Sequence, residues 1–354
     1  MIAGETGGKA MIALLVALAL LASPYPWLAS AARETIEARI APPAGFRRVP
    51  ALPGSFAEWL RGLPVKPGHP PVHLFDGRLK ANQTAHYLVL DVDVGTRDRQ
   101  QCADAVIRLR AEYLRAARAE DRICFRFTSG APARWSAWRE GMRPRIRGNA
   151  VTWEKRAQPD ASYASFRRYL DLVFDYAGTF SLARELERVA DPRRIQAGDV
   201  FIQGGFPGHA VLVVDVAEDA AGRRAVLLAQ SYMPTQDIHV LRNPGAPQSP
   251  WYVIDGDGPL ATPEWRFPPG SLGRFGESSA TACQLVLSEN RFSTQGVTSW
   301  PGPAPAFTPR ISMSNPFKKA GIATRMRVTG PRVSPSPLIF MEYVAWTIQS
   351  SLTV

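Results

Sequence analysis

Two residues in this chain have the types and surroundings for nucleophilic chemistry. Cys102 stands at the start of an amphipathic stretch, and His209 follows Pro207-Gly208 at the head of an apolar run. A cysteine hydrolase needs a thiolate, a histidine to hold it as an ion pair, and a third polar group to orient the ring. A thiolate gains most at a helix N-terminus, where unpaired N–H groups and the dipole lower its pKa. Each residue also has a plainer reading. Cys102 can serve as a small apolar residue on a buried helix face, and His209 as a strand-end histidine bonded within a loop.

The elements that must position them are legible as patterns. Residues 200–203, 209–215 and 224–230 are aliphatic or β-branched runs broken by Gly-Gly, Pro-Gly and Ala-Gly, which predicts three short strands. Pairing Asp215 with Arg224 across the turn is a favourable opposite-charge match. That register sets Val213 against Val226, Val211 against Leu228 and His209 against Gln230, all on one face. Gln230 is then the orienting group, a one-residue slip offers Ser231 instead, and Asp215 lies too far down the strand. Upstream, Asp98 is placed as an N-cap with Gln101 closing a capping box. Cys102, Val106, Leu109 and Tyr113 share one face of the helix that follows, which runs to about residue 118. Gln101, Ser231, Tyr232 and Trp251 are the expected substrate contacts around Cys102, His209 and Gln230. On a binding surface Tyr252 and Trp265 join Tyr232 and Trp251, although aromatic residues beside prolines commonly serve as packing anchors.

Elsewhere the pattern is mixed. Strands are expected at 72–79, with an Asp76-Gly77 turn, at 86–94 and at 123–127; helices at 56–63, 163–174 and 181–189. Residues 243–269 read as a compact Pro- and Gly-rich loop excursion. The fold class is therefore α+β. Residues 1–32 read as an export signal, with Lys9 before an apolar run and Ala29-Ser30-Ala31 as a cleavage site. Residues 33–54 read as a linker, 55–275 as a single domain, and 276–354 as a mostly disordered or weakly ordered tail.

The formal net charge of +11 comes mainly from dispersed arginine, without a dense basic block, so no nucleic-acid partner is expected. It suits affinity for an anionic envelope surface, as in peripheral membrane association, or no specific partner. There is no C-x-x-C or H-E-x-x-H and the five histidines are scattered, so neither a metal nor another cofactor is expected. Of the three cysteines at 102, 124 and 283, export makes a Cys102–Cys124 disulfide the structural alternative to a reactive Cys102.

A helix-borne cysteine followed by Gly198-Asp199-Val200-Phe201, Gly208-His209-Ala210-Val211 and Ala229-Gln230 resembles the NlpC/P60 and CHAP branch of the papain-like superfamily. The stretch from about residue 55 to 275 resembles more closely the bacterial envelope family named domain of unknown function 4846, through QQCADAVIRLRAEYL, YAGTFSL, GDVFIQGGFPGHAVLVVD and LLAQSYMPTQDIHVLRNP. The first resemblance implies a papain-like core, a Cys-bearing helix packed on an antiparallel sheet. It also implies an exported thiol amidase or peptidase of the periplasm or cell envelope, with Cys102 as nucleophile and His209 as base, acting on a cell-wall peptide or other envelope ligand. A non-catalytic envelope binding module, or a structural protein, on the same fold is the alternative.

Overall fold

The computed structural model describes residues 24–28 and 34–276. All of them belong to the first of two compact units, Met1–Trp300. The expected tail lies outside the described residues, apart from Gly276, and so does most of the expected export signal. No helix among the described residues is long and apolar enough to cross a membrane.

The first elements are α1 (Ile36–Arg39), β1 (Phe46–Arg48), α2 (Phe56–Arg61), β2 (His86–Val89) and α3 (Cys102–Ala116). Next come β3 (Cys124–Arg126), β4 (Pro132–Arg134), α4 (Trp135–Arg139), and a hairpin of β5 (Met142–Arg147) and β6 (Ala150–Lys155). Then follow α5 (Tyr163–Tyr176), α6 (Thr179–Glu185), β7 (Leu186–Arg188), β8 (Val200–Gln203), β9 (His209–Asp219), β10 (Arg224–Gln230) and β11 (His239–Leu241). The last are β12 (Tyr252–Ile254), β13 (Leu260–Ala261), β14 (Arg266–Phe267) and β15 (Leu272–Phe275). The protein is a mixed α+β fold around a nine-stranded sheet. Its main path runs β2-β11-β10-β9-β8-β15-β7, with β1 added beside β9 and β12 beside β10. Every pairing in it is antiparallel.

Alternation along β9 divides the interior in two. Ala210, Leu212 and Val214 face α3, where Val106, Ile107, Leu109 and Leu114 bury the helix's apolar stripe. Val211, Val213 and Val216 face the other way, against Phe201, Leu228, Phe267 and Leu272. Truncating a residue such as Leu109 to Ala costs about 3 kcal/mol, because the close-packed helix cannot collapse into the void. Polar contacts also pin α3. Arg108 and Glu112 form a fully buried ion pair one turn apart, and the Tyr163 hydroxyl donates to Glu112 Oε1 at 2.8 Å.

Several expectations are corrected here. Residues 33–54 are not a linker: Ile36 and Ile40 are buried, and β1 pairs with β9. Tyr25 and Trp27, inside the segment expected to be an export signal, pack with Trp59, and the Tyr25 hydroxyl donates to the Trp59 carbonyl at 2.9 Å. The 72–79 stretch forms no strand and makes only two isolated bridges, His73 with Leu79 and Leu74 with Gln236. The chain after α6 turns into strand β7, ending the helix expected over 181–189 at Glu185. The excursion at 243–269 contributes strands β12 to β14.

The β9–β10 register also differs from expectation. Arg224 faces Glu218, not Asp215, and forms a 2.6 Å ion pair with it. Asp219 makes the turn tight by accepting from the N–H groups of Ala221 and Arg223, so both strands extend past the expected turn. A bulge in the pairing, where Leu227 faces Asp215 but Leu228 faces Val213, then shifts the register by one residue. The bulge sends Asp215 to the helix side of the sheet, where it binds Arg48 at 2.7 Å and Arg61 at 2.5 Å.

Candidate functional site

Cys102 is the first residue of α3, with Gln101 as N-cap. The helix therefore begins three residues later than an Asp98 cap implies. Asp98 Oδ1 instead accepts from Gln101 Nε2 at 2.9 Å and from the Thr235 N–H at 2.8 Å, while Asp104 Oδ2 accepts from the Gln101 N–H at 3.0 Å. Ser231, fully buried, holds this approach segment to the end of β10. Its Oγ lies 3.1 Å from the Gln100 carbonyl oxygen and 2.8 Å from that of Gln236.

The sheet ladder explains where the thiol sits. The Val213 N–H is spent on Asp199 on the β8 side, so alternation turns the N–H of Ala210 toward β10. The last β9–β10 partners are Leu212 and Ala229, which leaves the Ala210 N–H beyond the ladder. It lies beside the Cys102 sulfur, as do the N–H groups of Ala103 and Cys102 itself. The thiol thus lies one peptide from His209. Cys102 keeps a window to solvent, but burial, with the Asp104 carboxylate second, pushes its thiol up to about 11 against the pull of the three N–H groups. The helix start does not hold a resting thiolate, contrary to the expectation from helix position.

His209 is 1% exposed, and its position depends on Gly208. A Cβ at residue 208 would stand 2.4 Å from both the Gly205 carbonyl oxygen and Thr179 Oγ1. The imidazole packs among Tyr232, Trp265 and Phe267, at ring separations of 4.7, 5.2 and 5.9 Å. Its Nε2 lies 2.8 Å from Gln230 Oε1. The two residues share a face but are diagonal neighbours: continuing the register beyond Ala229–Leu212 puts Gln230 opposite Val211. The expected partner is met through a different register, because side chains of this length reach across a diagonal.

The protonation pattern of this network follows from its ends. Glu264 can only accept, and it takes the Gln230 Nε2–H at 2.8 Å, so the amide oxygen must face His209. The second Gln230 N–H points to His239 Nε2 at 3.4 Å. That nitrogen is an acceptor, because His239 Nδ1–H is committed to the Asp237 carbonyl at 2.9 Å. His209 must then carry its proton on Nε2, which leaves Nδ1 as the basic nitrogen. Glu264 is itself held by Lys80 and by Asn82 Nδ2. Burial holds both imidazoles neutral, pushing His209 down to about 4 and His239 to about 3. Tyr232 stands between the two halves of the site. Burial first, then the charges of Glu264 and Cys102, raise its phenol.

The structure thus gathers Cys102, His209, Gln230, Gln101, Ser231 and Tyr232 at one end of β9. Trp251 is elsewhere, 3% exposed in the core with its indole N–H on the Ala41 carbonyl at 2.8 Å. Cys102 is free and Cys124 is disulfide-bonded, so the Cys102–Cys124 bridge is not formed. Asp199 of the Gly-Asp pair is structural, binding Arg274 at 2.6 Å to tie β15 to the start of β8. Among the described residues no group of three or more His, Cys, Asp or Glu could hold a metal ion. Sequence reasoning missed Lys80, Glu264 and His239. Each is a polar residue in or beside a loop, and only the folded sheet edge brings them to Gln230.

Residues 36–274 match the model of the family described as domain of unknown function (4846), and the chain belongs to that family. No curated protein and no solved structure matches it.

Proposed function

We propose that this protein is an exported thiol hydrolase, an amidase or peptidase with a papain-like core, acting on peptide or amide bonds of the cell envelope. The observation that carries the reading is the ordered series Glu264–Gln230–His209. It fixes the histidine tautomer and leaves Nδ1 as the base at the strand end where the helix presents the Cys102 thiol. In the reaction the thiol proton passes to His209 Nδ1 as sulfur attacks the amide carbonyl, and the Cys102 N–H helps hold the oxyanion. The C–N bond breaks, the imidazolium protonates the leaving amine, and a thioester remains. Water, deprotonated by His209, then attacks the thioester and releases the acid and the thiol. Because the resting pair is neutral, proton transfer accompanies attack.

Incubating the purified protein with cell-wall peptide fragments tests this by mass spectrometry of the products. Wild type is expected to release a paired amine and acid, and Cys102→Ala none. Absence of cleavage together with absence of a trapped acyl-enzyme in Cys102→Ser overturns the reading. It would favour the non-catalytic binding module, to which the neutral, aromatic-covered His209 is also suited.

A further inference from the structure

A pocket of about 150 Å³ opens beside the start of α3, lined by Arg97, Arg99, Gln100, Arg167, Asp171 and Phe174 among others. Gln100 comes two residues before Cys102 and is 1% exposed. Its Oε1 accepts from Arg108 Nη1 at 3.1 Å. Arg108 can only donate, so the amide is oriented and Gln100 Nε2 is left as a donor with no acceptor. Arg167 lines the same pocket. Its Nη2 is 3.6 Å from Asp93, and its buried Nη1 also has no acceptor. Arg99 is occupied, lying 3.3 Å from Asp171 and 3.0 Å from Asp175. Two buried donors at one pocket without a protein acceptor are costly unless a ligand or water supplies oxygen.

We propose that this pocket binds a carboxylate, its two oxygens taking the Gln100 Nε2–H and the Arg167 Nη1–H. A monoanion with two oxygens matches these donors, and the Asp171 carboxylate in the same pocket, paired with Arg99, repels a phosphate dianion more than a carboxylate. Carried onto the hydrolase reading, on which this step rests, the pocket receives an acidic group of the substrate flanking the bond that Cys102 attacks.

Calorimetric titration with N-acetylglycine, its uncharged amide and inorganic phosphate tests the proposal on wild type and on Cys102→Ala. Saturable binding of N-acetylglycine by both is expected, with no binding of the amide. Gln100→Glu keeps the acceptor for Arg108 but removes the donor, and Arg167→Met removes the other. Each is expected to weaken binding about tenfold or more. Failure of wild type to bind, equal affinity for the amide, tighter binding of phosphate, or unchanged affinity in both folded variants would overturn the proposal. Because the titration works on Cys102→Ala, its outcome stands apart from whether the protein hydrolyses anything.

Discussion

Alkylation of Cys102 as a function of pH separates two descriptions of the Cys102–His209 pair. With the thiol pushed up to about 11 by burial and the imidazole down to about 4, both are neutral across the whole interval between. At pH 7 such a thiol is about 1 part in 10⁴ thiolate, against a few per cent for a free cysteine near 8.5, so iodoacetamide should react roughly 300-fold more slowly than with a free thiol. The logarithm of the rate should rise with unit slope from about pH 6 to 10 and bend only near 11. Cys124, held in a disulfide, should stay unlabelled without reductant. His209→Ala should leave the rate below pH 9 within a fewfold of wild type, since a neutral imidazole lends the thiolate no charge. The assay is a stopped-time course read by mass spectrometry of the Cys102 peptide. A plateau between pH 4 and 7, lost in His209→Ala, would refute the reasoning: it would mean that the pair rests as thiolate and imidazolium and that burial does not dominate.

Three further outcomes follow from the same geometry. Gln230→Leu orphans His209 Nε2–H, Glu264 and His239 Nε2 together and should cost at least about 3 kcal/mol in urea unfolding; on the hydrolase reading it should also lower kcat far more than KM, by about 10³-fold or more, because the tautomer is no longer held. A stability loss without a kcat change would make Gln230 purely structural. Both histidines are held below the ordinary value of about 6.5, so between there and about 4 the unfolded chain binds more protons than the folded one; stability should be level above about pH 6.5 and fall by roughly 3 kcal/mol per histidine by pH 4. Unfolding free energies that stay flat from pH 7 to 4.5 would contradict this. Asp215→Ala strands two arginines at a buried position and should cost about 3–5 kcal/mol, while Arg48→Ala, at the more exposed partner, should cost less.

Local pattern carried much of the site. The runs at 200–203 and 224–230 match β8 and β10 at both ends because Gly and Pro bound them, and His209 opens β9 because Pro207-Gly208 precedes it. Composition was less informative where charge had to be weighed against pairing. Glu218 and Asp219 read as loop, yet Glu218 pairs Arg224 and Asp219 closes the turn, so the strands run on and the register moves. No periodicity announces the bulge between Leu227 and Leu228, since it depends on how Asp215 meets Arg48 and Arg61 from residues more than 150 positions away. For the same reason residues 33–54 looked like a linker: their Pro and Ala content hides that Ile36, Ile40 and Arg48 have partners only in the assembled sheet.

The Lys80–Glu264–Gln230–His209 series bears on why this end of β9 is polar at all. Burying so many hydrogen-bonding groups gains little for stability, since apolar residues of the same shape pack as well without desolvating charge. What a fully assigned network does provide is direction. Each donor has one acceptor, from the Asp237 carbonyl through His239 to Gln230 and from Glu264 to Gln230, and the sequence ends on a single unassigned basic atom, His209 Nδ1. With its amide set by Glu264, the buried Gln230 oxygen is satisfied only by the Nε2–H tautomer of His209; the other tautomer, or Phe, would leave it without a donor. The fixed tautomer leaves Nδ1 as the free basic atom, and the strand end carrying His209 is the one whose next N–H, that of Ala210, lies beside the Cys102 sulfur.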